Sequence, residues 1–145
     1  MRVLVDTNVI MDALSQREPF YANGKRVIKL CERDDVEGIL AAHSVTNLFY
    51  LLRKYFTNDE LRDILLGLCG IFSVEGIDKE KLMLALKNKG FSDFEDCLQA
   101  ECAFIAEAEY IITRNGKDFA NSRVPCIRPE EFCSLFDPDR EFVSS

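Results

Sequence analysis

The fold is decided by the stretch Arg2-Val3-Leu4-Val5-Asp6-Thr7-Asn8, in which a short apolar run ends directly in an aspartate. The run predicts a β-strand, and the residues after it, as far as Leu14, have the apolar spacing of a helix. Ligands of open α/β sheets bind beyond the carboxyl ends of the strands, so Asp6 is expected where chemistry takes place. The alternative is that Asp6 or Thr7 only caps the helix, as short polar residues commonly do.

A second acidic segment lies far along the chain, at Ser92-Asp93-Phe94-Glu95-Asp96, and the apolar spacing after it predicts another helix. A strand is then predicted at Tyr110-Ile111-Ile112, and it leads into the polar turn Thr113-Arg114-Asn115-Gly116-Lys117-Asp118. The carboxyl ends of parallel strands meet at one edge of a sheet. The three polar segments are therefore expected to converge there.

This combination resembles the PIN-domain family of metal-dependent ribonucleases, which includes the toxins of the virulence-associated toxin–antitoxin pairs. The resemblance rests on DTN at residues 6–8, DFEDCLQA at residues 93–100 and IITRNGKDF at residues 111–119, in that order. It covers essentially the whole chain. It implies an α/β protein with a three-layer α/β/α PIN-like fold around a central, mainly parallel sheet.

The rest of the chain agrees with that expectation because strand and helix patterns alternate along it. Further strands are predicted at residues 38–42 and 71–74, with helices between them. Ser44 is predicted to cap the helix after the second strand, and Thr57 with Glu60 forms a capping-box pattern for the next helix. Strands separated by helices imply a parallel sheet with helices on both faces.

The composition suits one compact domain, since 48% of the 145 residues are hydrophobic and 30% are charged. We expect a single PIN-like domain at residues 1–136 and a polar C-terminal tail at residues 137–145. No apolar run approaches the roughly 20 residues of a membrane helix, and no export signal precedes the first strand. A cytoplasmic location is therefore expected.

Six cysteines are scattered among apolar positions, and none forms a CxxC pair. Without an export signal, they are expected to be reduced and mostly buried thiols. His43 is the single histidine of the chain, so a zinc site is not expected.

The resemblance assigns the strongest site candidates. Asp6 and Asp96 correspond to two metal-binding acids of the family, and Asn8 belongs to the DTN signature, where it would orient a metal-bound water or a neighbouring carboxylate. Asp118 is expected to supply a further catalytic carboxylate that binds metal. The expected cofactor is Mg²⁺ or Mn²⁺, since these hard cations prefer oxygen ligands.

Two positions depart from the family pattern. Asn47 lies where a glutamate is usual, on the helix after the second strand, and Asn115 occupies the fourth acidic place. An amide oxygen still ligates a metal ion or its water, but a site with fewer charges is expected to bind divalent ions more weakly.

Three more polar residues are candidates for the site, and for two of them a purely structural role is the alternative. Glu95 lies three residues after Ser92 and so completes a capping-box pattern, while Asp93 suits the positive end of the helix dipole. Thr113 is a further candidate at the end of the late strand.

Candidate RNA contacts are local, because a formal charge of −7 argues against a broad basic surface. Two basic pairs lie near the expected metal site and are predicted to bind phosphates: Arg53 with Lys54, and Arg114 with Lys117. The alternative is that these residues are solvated helix ends. The neighbouring aromatic pair Phe49-Tyr50 suits either stacking on bases or packing in the core.

The resemblance implies a metal-dependent endoribonuclease that hydrolyses phosphodiester bonds of single-stranded RNA, as the toxin of a toxin–antitoxin pair. An antitoxin protein and a homodimer are the partners that it implies besides RNA. Two alternatives stay open. Asn47 and Asn115 are consistent with a catalytically weakened binding or regulatory module. Asp6 is also a candidate nucleophile of an aspartyl phosphotransferase, although such enzymes commonly need an acid where Asn8 stands.

Overall fold

A computed structural model describes residues 1–137 of the chain, and its centre is a five-stranded sheet. The strands are β1 (Arg2–Val5), β2 (Glu37–Ala41), β3 (Ser73–Glu75), β4 (Tyr110–Ile112) and β5 (Cys126–Ile127). They lie in the order β3-β2-β1-β4-β5, and every pairing is parallel. The predicted parallel sheet is confirmed. Apart from its first residue, the predicted polar tail at residues 137–145 lies outside the described residues.

Helices connect the strands in the way that the alternating pattern predicts. They are α1 (Thr7–Leu14), α2 (Tyr21–Glu32), α3 (Ala42–Leu51), α4 (Asn58–Ile71), α5 (Lys79–Lys87), α6 (Phe94–Ile105) and α7 (Pro129–Ser134). Short 3₁₀ helices span Leu52–Lys54 and Gly116–Phe119. Within residues 1–137, none of the helices combines the length and the apolar character that crossing a bilayer requires.

The helices cover both faces of the sheet because successive side chains of a strand point to opposite sides. On β1, Val3 and Val5 pack in a core with α1, α2, α3, α4 and α7. Leu4, between them, packs in a second core against the small residues Ala100 and Ala103 of α6. Helix α5 packs on α6 through Ala85 on the same side. The three-layer α/β/α fold is therefore confirmed.

Two of the capping patterns found in the sequence are not formed, and local chemistry explains both. Thr57 and Glu60 do form the capping box, with N–H to oxygen distances of 2.8 and 3.2 Å. Ser92 does not cap α6, because Asp93 takes that place and accepts the backbone N–H of Asp96 at 2.9 Å. Glu95 therefore belongs to no capping box. Asp93 caps α6, which is a structural role at the positive end of the helix dipole.

Ser44 is the other incorrect cap. Strand β2 runs to Ala41 and the chain turns directly into α3, so Ser44 lies in the first turn rather than before it. Its hydroxyl is buried and accepts a hydrogen bond from the Thr7 hydroxyl at 2.8 Å, which ties α3 to α1. The third strand also begins later than predicted, because α4 continues to Ile71.

The sheet has a topological switch point between β1 and β4. From β1, the chain builds the sheet outward through β2 and β3, and it then returns to add β4 and β5 on the other side of β1. The backbone N–H of Asp6 donates to the carbonyl of Ile112 at 2.9 Å, so the two strand ends lie side by side. Ligand crevices of open α/β sheets form at such a point.

The cysteines are mostly buried, as predicted. Those with buried side chains are Cys31, Cys97, Cys102 and Cys133, whereas Cys126 is half-buried and Cys69 is exposed. Burial raises the pKa of the Cys31 thiol to about 12 and that of Cys102 to about 11. These thiols are therefore protonated and unreactive at neutral pH.

Candidate active site

Asp6 occupies the switch point and is held by side chains from two other elements. It is only 5% exposed. Gln99 of α6 donates from Nε2 to one carboxylate oxygen at 2.9 Å, and Thr113, after β4, donates from its hydroxyl to the other at 2.8 Å. The Asp6 side chain makes no capping bond to α1. Asp6 thus occupies the N-cap position of α1 without a side-chain capping bond, and its carboxylate lines the cleft.

A cleft of about 510 Å³ opens beside Asp6, and oxygen-bearing side chains from several elements line it. Its carboxylates are Asp6, Glu95, Asp96 and Asp118, and its amides are Asn8, Asn47, Gln99 and Asn115. The structure thus brings together most of the residues that the sequence singled out. Thr113 lies behind Asp6, Asp93 caps α6 beside the cleft, and Lys117 is exposed outside its lining.

Two carboxylates of the cleft, Asp6 and Asp96, have raised pKa values. The pKa of Asp96 rises from 3.8 to about 7, through partial burial first and then through the negative charges of Asp6, Asp93, Asp118 and Glu95. Burial also raises the pKa of Asp6, against the lowering effect of its hydrogen bonds from Gln99 and Thr113. A positive charge next to Asp6 and Asp96 would favour their ionised forms.

The donor set fits a hard divalent cation. The side-chain oxygens of Asn8 and Gln99 are buried and lack a hydrogen-bond partner among the described residues, and both residues line the cleft. Buried polar atoms are rarely left unpaired, so an ion or its water shell is a suitable partner. No three His, Cys, Asp or Glu side chains within residues 1–137 are already placed to ligate one ion. Mg²⁺ commonly binds through one or two carboxylates, several waters and substrate phosphate.

Two residues of the cleft were missed by sequence reasoning. Gln99 follows Asp96 by three residues on the same helix, a spacing that puts both on one helix face and that could have identified it. His43 gives no such signal. Its Nε2 donates a hydrogen bond to the Glu95 carbonyl at 3.0 Å, and its Nδ1 is buried without a partner among the described residues. Burial lowers the pKa of His43, so the ring is neutral and holds the first turn of α6 beside Asp96.

Arg114 is engaged rather than free for phosphate. Its Nε lies 2.7 Å from a carboxylate oxygen of Asp12, which is buried on α1, and its Cζ lies 4.6 Å from the ring centroid of Phe20. Arg114 still lines one wall of the cleft. The pair therefore fixes the turn after β4 against α1, one helical turn beyond Asn8.

Asn47 and Asn115, the two departures from the expected family pattern, both line the cleft. Asn47 is half-buried on α3, and Asn115 lies in the turn after β4. The backbone N–H of Asn115 donates to the Thr113 hydroxyl at 3.0 Å, and that hydroxyl donates to Asp6. Asn115 thus takes part in holding the Asp6 carboxylate through its backbone, whatever its side chain binds.

Comparison with known proteins agrees with this geometry. The family model described as "PIN domain" matches residues 2–117, which is most of the chain and includes both strand ends of the crevice. The chain belongs to the PIN-domain family. The match ends one residue before Asp118 of this PIN domain. No curated protein sequence matches it significantly.

Solved structures share the fold of this PIN domain at low sequence identity. A toxin–antitoxin complex from Klebsiella pneumoniae is 20% identical, with a TM-score of 0.67 over 88% of this chain and 97% of that one. VapBC-1 from nontypeable Haemophilus influenzae is 18% identical, with a TM-score of 0.65 over 90% and 99%. The sarcin–ricin-loop-cleaving toxin VapC20 from Mycobacterium tuberculosis is 13% identical, with a TM-score of 0.60 over 75% and 86%.

Proposed function

We propose that this PIN-domain protein is a divalent-metal-dependent endoribonuclease that hydrolyses phosphodiester bonds of single-stranded RNA. One observation carries the proposal: Asp6, Asp96 and Asp118 come from three separate parts of the chain and line one cleft at the switch point of the sheet. The family membership and the RNA-cleaving activity named for VapC20 support it.

In this proposal some side chains of the cleft bind the metal ion, and others orient those ligands and the metal-bound water. Asp6, Asp96 and Asp118 would hold Mg²⁺ or Mn²⁺, which when bound supplies an acidified water and stabilises negative charge on the scissile phosphate. Gln99 and Thr113 fix the two oxygens of Asp6 before any ligand arrives. Asn8 offers a buried side-chain oxygen that can accept a hydrogen bond from an ordered water.

Asn47 and Asn115 weaken the site without removing it. Both are neutral where the family resemblance places acids, so the cleft carries fewer charges to attract a divalent ion. Burial first, and then the remaining carboxylates, still raise the pKa of Asp96 to about 7. We therefore expect activity that needs a higher metal concentration than a fully acidic site, and Asn47→Glu is expected to lower that requirement.

The same proposal includes a partner. Two of the structures compared above are toxin–antitoxin assemblies, which supports the role of toxin for this chain and an antitoxin protein that covers the acidic cleft. Residues 1–136 would form the toxin domain, and a homodimer is expected. Light scattering checks the dimer, and a monomer at high concentration would contradict it.

A second candidate function rests on the same two asparagines. If the cleft with Asn47 and Asn115 binds metal too weakly to react, the protein is an RNA-binding or regulatory module with the same fold. The phosphotransferase alternative is disfavoured because such enzymes commonly need a second acid two residues after the nucleophile, and Asn8 occupies that position.

Cleavage of a panel of single-stranded RNAs tests the proposal. The wild type is compared with Asp6→Ala and Asp96→Ala in Mg²⁺ or Mn²⁺, with EDTA as the metal control. Asp63→Ala is the matched control, since Asp63 is an exposed acid on α4 outside the cleft. We expect metal-dependent cutting by the wild type and by Asp63→Ala, and a loss of at least about a hundredfold in both site variants.

The outcomes separate the two functions. Cutting that persists in Asp6→Ala and Asp96→Ala would identify a contaminating nuclease and contradict the proposed site. A folded wild type that binds RNA but never cuts it would favour the binding module. If Asn47→Glu then cut RNA, the missing carboxylate at position 47 would be the reason why the wild type does not.

A further inference from the structure

A second concave surface adjoins the acidic cleft at the C-terminal end of α3. It is a groove of about 520 Å³ lined by Met11, Tyr50, Leu51, Arg53, Lys54 and Tyr55, and we call it the aromatic–basic groove. Met11, Tyr50 and Leu51 line both this groove and the acidic cleft. A bound chain can therefore pass from one to the other without leaving the surface.

The groove presents large apolar surfaces that the fold leaves uncovered. Tyr50 is 64% exposed, Tyr55 is 55% exposed and Leu51 is 43% exposed. Phe49, next to Tyr50, packs against the core instead, which confirms the packing alternative for Phe49 alone. Single exposed apolar residues are ordinary, but neighbouring ones around a concavity commonly mark a binding surface.

The same groove carries two cations without carboxylate partners. Within residues 1–137, no ion pair includes Arg53 or Lys54. The Cζ atom of Arg53 lies 4.0 Å from the ring centroid of Tyr50, and its Nε donates to the Tyr50 carbonyl at 3.0 Å. The guanidinium is therefore held in place beside the ring, on a protein whose formal charge is −7.

We propose that the aromatic–basic groove binds the nucleotides next to the scissile phosphate of a single-stranded RNA, an inference that rests on the proposed nuclease function. An unpaired base stacks on the Tyr50–Arg53 pair and its neighbour stacks on Tyr55. Lys54, with Arg53, binds the phosphate between them. Aromatic rings and guanidinium planes are the surfaces on which proteins stack unpaired bases.

Charge and position favour RNA over a protein helix as the occupant. An apolar helix would cover Leu51 and Met11 but would leave Arg53 and Lys54 facing it without partners. A phosphodiester chain satisfies both cations and continues into the cleft where the carboxylates lie. Stacking also requires unpaired bases, so the groove would select single strands over duplexes.

Binding of a fluorescent single-stranded RNA oligomer tests the groove. The measurements use the full chain with Asp96→Asn, which keeps the oligomer intact by disabling the proposed site. Tyr50→Ala and Tyr55→Ala are expected to raise the Kd between about fivefold and one-hundredfold each. Tyr50→Phe and Tyr55→Phe keep the rings and are expected to bind within about twofold of the parent. A duplex of the same sequence is expected to bind more weakly than the single strand.

The chain offers a matched control in Tyr21. It is a partly exposed tyrosine on α2 that pairs with a cation in the same manner, since Lys25 Nζ lies 5.7 Å from its ring centroid, and it lies outside the groove. Tyr21→Ala is expected to leave the Kd unchanged. Circular dichroism of each variant establishes that it is folded.

Each outcome decides between the two proposals. Weaker binding by the alanine variants, in a protein whose wild type does not cut RNA, supports the groove and contradicts the nuclease. Cutting by the wild type with unchanged RNA affinity in Tyr50→Ala and Tyr55→Ala contradicts the groove and leaves the nuclease standing. Equal affinity of the parent for the single strand and for the duplex of the same sequence would show that unpaired bases do not stack in the groove and would overturn the RNA proposal.

Discussion

Asp96 lies half-buried at the start of α6, where three other carboxylates of the cleft and the capping Asp93 act on it. Its folded-state pKa of about 7 exceeds the ordinary value of 3.8, so between about pH 4 and 7 the folded protein binds a proton that the unfolded chain does not. The metal-free protein therefore loses stability through this group as the pH rises across that range.

The substitution Asp96→Asn removes this cost at the residue where it arises. In EDTA at pH 8 we expect it to stabilise the protein by about 1–2 kcal/mol, a shift of three pKa units reduced for solvent screening at a half-exposed side chain. The difference is expected to vanish near pH 4 and to reverse in excess Mg²⁺. Urea unfolding at each pH measures it, with Asp63→Asn as the exposed control. If the wild type and Asp96→Asn were equally stable at pH 8, the pKa of Asp96 would not be raised by burial and by the neighbouring carboxylates.

At the scale of elements, α1 and α2 pack closely because Gly24 has no side chain. A Cβ there would lie 2.9 Å from the carbonyl oxygen of Val9, and that backbone atom cannot move without shifting α1, which carries Asn8. Gly24→Ala is therefore expected to destabilise the fold by about 1–3 kcal/mol. It is also expected to lower cleavage more than this loss of folded protein explains.

The control for that prediction is Gly67, in the middle of α4, where a Cβ would meet nothing within 4 Å. Gly67→Ala is expected to stabilise the protein by about 0.5–1 kcal/mol through helix propensity alone. Thermal unfolding compares the two. An unchanged melting temperature in Gly24→Ala would contradict this prediction and show that α1 and α2 can move apart at little cost.

The same scale shows what the sequence could and could not predict. Strands β1 to β4 follow from apolar runs, whereas the two-residue strand β5 does not. Asp6 and Asp96 became site candidates through their motifs at the end of β1 and at the start of α6. The caps Ser44 and Ser92 were wrong because a neighbouring residue ended the strand or capped the helix first. Gln99 contacts Asp6, 93 positions away, and His43 contacts Glu95, 52 positions away. Local spacing could place Gln99 on the same helix face as Asp96, but it cannot predict either of these long-range contacts.

For the whole molecule, the formal charge of −7 sets how RNA binding responds to salt. The protein as a whole repels RNA, and the groove offers only Arg53 and Lys54 to neutralise phosphates. With about two phosphates neutralised, the slope of log K against log salt for single strands is expected to be about −1.4. Titrations at several KCl concentrations measure the slope. A value near −5 would require a broad basic surface that these residues do not provide.

The hydrogen bonds on Asp6 make the order of synthesis matter. Its carboxylate is held by residues 93 and 107 positions later in the chain, and its strand lies against β4. A nascent chain that has emerged only as far as α5 contains the first aspartate but neither α6 nor the turn after β4. The Asp6 carboxylate thus gains its two side-chain hydrogen-bond donors only when the last third of the chain has been made and has folded, so the arrangement at the switch point is completed late in synthesis.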